Sequence, residues 1–102
     1  MVRSEAITEA LDVLTDIPRW KLHRRSWAEV SVSLRDLATA FRADDTRAVV
    51  AATVALELLS PDMSPNLGEE EIVGPPDRVR EQRAEILDSI TAEPGDGPRT
   101  SR

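Results

Sequence analysis

SWAEVSVSLRDLATAFRADDTRAVVAATVALELL, residues 26–59, decides the fold. Trp27, Val30, Leu34, Leu37 and Phe41 recur at alternating intervals of three and four, which puts them on one stripe of a helix. Ser26 and Glu29 stand in the spacing of a capping box, so this helix is expected from Ser26 to Ala43. Asp44 and Asp45 interrupt it, and either carboxylate can cap the next helix while favouring the positive end of its dipole. From Thr46 to Leu59 two adjacent stripes follow: Val49, Ala52, Leu56, Leu59 beside Ala48, Ala51, Ala55, Leu58. With apolar residues over well more than half its circumference, this segment is expected to be the most buried helix. Ser60 and Pro61 stop it, and the whole stretch reads as a tight αα-hairpin.

Working outward, Ser4 is placed to cap a first helix running to Asp16, with Ile7, Ala10, Leu11 and Leu14 at helical spacing. Pro18 biases Ile17 away from helical dihedrals, so Asp16 to Leu22 is expected to be a connector, packed through Trp20 and Leu22. Beyond the hairpin, Pro61 to Asp77 is loop-like, carries the acidic run Glu69, Glu70, Glu71, and can be pinned to the core by Ile72 and Val73. Asp77 is a plausible cap for a last helix to about Ala92, whose narrower apolar edge is Val79, Arg83, Ile86, Leu87 and Ile90. Residues 93–102 are proline, glycine, charge and small polar groups, and a disordered tail is expected there. No strand alternation is evident, and the hairpin has no second copy that would make a repeat array. The fold class is therefore all-α: a single compact four-helix domain over residues 1–92, with a central αα-hairpin and a disordered C-terminal tail.

Composition bounds the function. A chain of 102 residues that is 40% hydrophobic and 31% charged can build one core and has the balance of a soluble globular domain. Absence of cysteine removes disulfides and thiolate chemistry, and the lone His23 has no second imidazole to work with. A formal charge of -6 opposes general binding to nucleic acid, where phosphate neutralisation supplies most of the affinity. No stretch reaches the length of a signal sequence or a membrane span, so the expected location is cytoplasmic, with no membrane partner.

Nucleophile, base and oxyanion donors cannot be assembled from these residues, so an enzyme is not expected. Asp44 and Asp45 could bind a metal, but capping accounts for them; the Glu69 to Glu71 run lacks the alternating oxygen ligands and glycine of a calcium loop. The four glycines form no phosphate-binding fingerprint, and no cofactor or metal is expected. One segment has the composition of an interaction site: Arg19 to Arg25 places four cations around Trp20 and Leu22 in an otherwise acidic chain. Two readings stand. Trp20, Lys21, Leu22, Arg24 and Arg25 form a partner-binding patch, or Trp20 and Leu22 clamp the connector to the bundle while the charged heads stay in water.

Leu14 to Leu22, Trp27, Val30, Leu34, Leu37, Ala40, the Asp44-Asp45 turn, Leu56-Glu57-Leu58-Leu59-Ser60-Pro61, and Gly74-Pro75-Pro76 with Val79-Arg80-Glu81 together resemble the CATRA-associated small proteins. These are short actinobacterial proteins implied to accompany caspase-like proteases and tetratricopeptide proteins in predicted conflict systems. The likeness spans about residues 10–92 and rests on leucine-rich motifs. It departs from the family pattern in carrying Asp44-Asp45 where the hairpin turn is Gly-Asp. The resemblance implies a non-enzymatic helical adaptor or regulator that binds a larger protein, a caspase-like protease or a TPR protein, in an antiviral or programmed-death module. It supplies no catalytic residues. The alternative is a small helical dimer regulating transcription or neutralising a toxin, for which a homo-oligomer would be required.

Overall fold

A computed structural model describes residues 1–61 and 71–91 of the chain. Helix α1 spans Ser4–Asp16 and passes through a 3-10 turn at Ile17–Arg19 into a short strand β1, Leu22–His23. Helix α2 follows at Arg24–Arg42, helix α3 at Thr46–Leu59, strand β2 at Ile72–Val73 and helix α4 at Asp77–Thr91. The all-α reading holds, and α2 with α3 forms the expected hairpin. The expected tail at 93–102 and most of the acidic run lie outside the described residues; Glu71 is exposed.

Cross-links between elements set the helix directions. The Ser31 hydroxyl donates to Gln82 Oε1 (2.9 Å) and the Gln82 amide donates back to the Ser31 carbonyl (3.1 Å), which joins α2 to α4, and the pairing of β1 with β2 just before them starts both helices from the same end. The Arg3 backbone N–H donates to Thr46 Oγ1 (3.1 Å), which sets the starts of α1 and α3 together at the opposite end. Helix α2 packs most extensively on α3; α1 packs on α3, α2 on α4, and α1 meets α4 more lightly. Arg83 closes that last seam, its Nε donating to the Leu14 carbonyl at 2.6 Å. Leu14 lies in the last turn of α1, where carbonyls have no partner within the helix, so the guanidinium satisfies one of them. That contact explains an arginine on the apolar edge of α4.

Leu14, Leu34, Leu37 and Leu56 converge in the core at zero exposure, each worth about 1.5–3 kcal/mol of transfer free energy. Thr53 is buried among them, and its hydroxyl has no hydrogen-bond partner. An unsatisfied buried hydroxyl costs about 1–3 kcal/mol, so Thr53→Val, which keeps the shape and removes the polar atom, should raise stability by about 1 kcal/mol. Chemical denaturation checks this, and a lowered midpoint would show that the hydroxyl is satisfied in solution.

Several local expectations need correction. The α2 helix starts at Arg24, two residues before the expected Ser26, and no side-chain cap forms there. The reason is tertiary: Leu22 and His23 pair antiparallel with Val73 and Ile72, so the last extended residue before the helix is His23, and Ser26 falls inside the first turn. This two-strand ladder is also the sheet that the sequence reading omitted. Ser4 likewise lies inside α1, behind Arg3, and provides no cap. Asp45 does cap α3, accepting the Ala48 backbone N–H at 3.1 Å.

Asp44 holds φ at 59°, the left-handed region where glycine is least penalised and aspartate is tolerated. Glycine is the residue that this backbone conformation would strain least. Asp44→Val should cost about 1–2 kcal/mol and Asp44→Gly should not, because a β-branched side chain clashes at positive φ. Equal melting temperatures for the two variants would count against the left-handed turn.

Helix α3 is not enclosed on all sides, as its all-round apolar pattern would allow. Val49, Ala52, Thr53 and Leu56 face inward, but Val50, Ala51, Val54 and Leu58 face outward. Packed on α1 and α2, it presents its far side to solvent.

Candidate functional site

The connector segment is built on two anchors. Trp20 and Leu22 both point inward, at 7% and 1% exposure, and pack with Ile17 in the core. Lys21, Arg24 and Arg25 are exposed. Trp27, one turn into α2, is buried, and its indole N–H donates to the Val73 carbonyl at 2.8 Å. That bond ties the start of α2 to β2, while Val73 packs on the core and Ile72 stays exposed. The Gly74-Pro75-Pro76 segment continues from there, with Val73, Gly74 and Pro76 lining one shallow hollow beside Arg24 and Trp27. Pro75 lines another beside Pro18, Arg80 and Arg83.

The structure thus places Lys21, Arg24 and Arg25 at the end of the bundle where α4 also begins, and where Arg78 and Arg80 are exposed. Trp20 and Leu22 belong to the support beneath them. Arg24 and Arg25 occupy the first turn of α2, and Arg78 and Arg80 the first turn of α4. Both are positive ends of helix dipoles, where an exposed cation costs a few tenths of a kcal/mol or more. His23 lies half-buried in the ladder opposite Ile72. Among the described residues, no group of three or more His, Asp or Glu side chains is placed to hold a metal ion.

A second surface was missed by sequence reasoning. The outward side of α3 exposes Val50 (40%), Val54 (42%) and Leu58 (55%), and the neighbouring flank of α2 exposes Val32 (47%). Ala28, Val32, Ala55, Leu58 and Leu59 line a groove between the two helices. Its signal was present in the sequence as apolar residues all round α3; which half faces outward depends on how many neighbours the helix acquires.

Acidic side chains gather elsewhere. Glu5, Glu9, Asp12 and Asp16 are all exposed at helical spacing along α1, which gives the molecule a negative flank distinct from its cationic end. No helix among the described residues is long and apolar enough to cross a membrane.

A family model described as CATRA-Associated Small Protein matches residues 9–94 of the chain, a span that takes in most of α1, all of α2, α3 and α4, and the ladder. No curated protein and no solved structure matches it.

Proposed function

The chain belongs to the CATRA-associated small protein family, and from that premise we propose that it is a non-enzymatic helical adaptor or regulator. It binds a larger CATRA-bearing protein of a bacterial conflict module, a caspase-like protease or a TPR protein, through Lys21, Arg24 and Arg25. The observation that carries this reading is the division of labour in the connector. Trp20 and Leu22 are consumed by the core, and Lys21, Arg24 and Arg25 are held outward on a braced surface, the two arginines at the helix end whose dipole disfavours them. Exposed cations on a rigid, braced surface are suited to an acidic partner.

Rigid support matters energetically, since a patch already ordered by the ladder and the Trp27 bond loses little conformational freedom on binding. The expected partner surface is acidic, which speeds encounter and sets orientation through complementary charge. Trp20 and Leu22 take part by holding the cations in place.

Co-expression with the CATRA-bearing protein tests the reading. The two should elute together from a sizing column after capture through a tag on either one. Separate elution of two folded proteins would overturn it.

A further inference from the structure

We infer that the outward face of α3 is a self-association surface, on which α3 of one molecule packs antiparallel against α3 of a second copy. Along that face Arg47, Val50, Val54 and Glu57 recur at intervals of three, four and three, the spacing of a helix-pairing seam. All four are exposed, and between Arg47 and Glu57 the helix carries no charge at all. A two-residue valine centre is thus bounded by one cation and one anion, about 15 Å apart along the axis at 1.5 Å per residue.

This pattern is self-complementary in one orientation only. About a two-fold axis near the middle of the helix, Val50 meets Val54 of the other copy, and Arg47 meets its Glu57, so both ion pairs form at once. A parallel pairing would set Arg47 against Arg47 and Glu57 against Glu57. Leu58, more than half exposed, comes under the aliphatic stem of the opposing Arg47, and Val32 on α2 widens the apolar strip.

The dipole of α3 supports the same orientation. Arg47 sits in its first turn and Glu57 in its last, each against the sign that the helix itself favours. In the antiparallel pair each charge lies beside the opposite end of the neighbouring helix, where its sign is favourable. An arrangement that is unfavourable within one chain becomes favourable between two. A single helix pair is a small interface of the weak, reversible kind. The surface is separate from Lys21, Arg24 and Arg25, so the dimer leaves the cationic end of each copy exposed.

Light scattering on a sizing column and sedimentation of the full chain test this, from about 5 to about 500 µM loading, a range over which a weak, reversible dimer assembles. The mass should rise with concentration from 11.3 kDa towards twice that value. Val54→Glu should weaken the dimer at least about 100-fold with the helical signal and melting temperature retained, because Val54 is exposed in the monomer. Arg47→Glu alone should weaken it about tenfold, and Arg47→Glu combined with Glu57→Arg should restore it to within about threefold. A wild-type chain that stays monomeric throughout overturns the inference. So does a dimer indifferent to Val54→Glu, or a double reversal that fails to restore association. If Val54→Glu instead abolishes binding to the CATRA-bearing protein while the free chain is monomeric, the face belongs to that partner.

Discussion

Trp27→Ala should lower stability by about 3–5 kcal/mol, the usual cost of truncating a buried tryptophan. Trp27 is 2% exposed and joins three parts of the fold: the start of α2, the core, and β2 through its bond to the Val73 carbonyl. Truncation leaves a cavity and also strips that carbonyl of its donor, which separates the ladder from the helix it braces. With about 4–8 °C lost per kcal/mol in a domain of this size, the melting temperature should fall by more than about 12 °C. Trp27→Phe retains most of the apolar volume and loses the donor, so its cost should be nearer 1–2 kcal/mol. Thermal unfolding followed by circular dichroism separates the two. A shift below about 3 °C for Trp27→Ala would show that the segment is not anchored here.

The second large effect is on binding. Reversing Lys21, Arg24 and Arg25 together to glutamate moves the net charge from -6 to -12, two units at each of three positions. Affinity for the CATRA-bearing partner should fall by about 100-fold or more as attraction becomes repulsion at the same surface. The melting temperature should stay within a few degrees, since acidic residues in the first turn of α2 suit its dipole better than the arginines do. Arg24→Glu alone should give a smaller loss in the same direction. A triple variant that fails to fold would make the cations structural, and one that binds normally would move the interface elsewhere.

Legibility of the fold followed the range of the forces that set each feature. The limits of α1 and α3 agree with the sequence reading because local spacing and Pro61 define them, but Pro18 does not turn Ile17 out of helical dihedrals as expected: Ile17 holds φ -51° and ψ -41° and leads straight into the 3-10 turn. Asp45 was readable as a cap for the same reason. The start of α2 was not, since it depends on Leu22 and His23 pairing with residues about fifty positions away in a ladder too short to show alternation. Once that pairing extends His23, Ser26 has no cap to make. Arg83 could be placed on the α4 edge, but its bond to the Leu14 carbonyl is a long-range contact that no periodicity announces.

The candidate site divides similarly. A seven-residue connector has no period long enough to say which side chains turn inward, so the sequence left two readings open for Trp20 to Arg25. Burial of Trp20 and Leu22 beside exposed Lys21, Arg24 and Arg25 combines parts of both. The α3 face was hidden for the opposite reason. Its apolar residues were plain, but a helix apolar all round reads as enclosed, and only the arrangement of its neighbours shows one side open.

Calorimetric titration of the chain into its CATRA-bearing partner at low and high salt measures association through the cationic end most directly. Saturable binding that weakens steeply as salt rises is the expected result, because exposed charges are screened within about 10 Å at 0.1 M salt. No binding at either salt, or salt-independent binding that survives reversal of Lys21, Arg24 and Arg25, would contradict it.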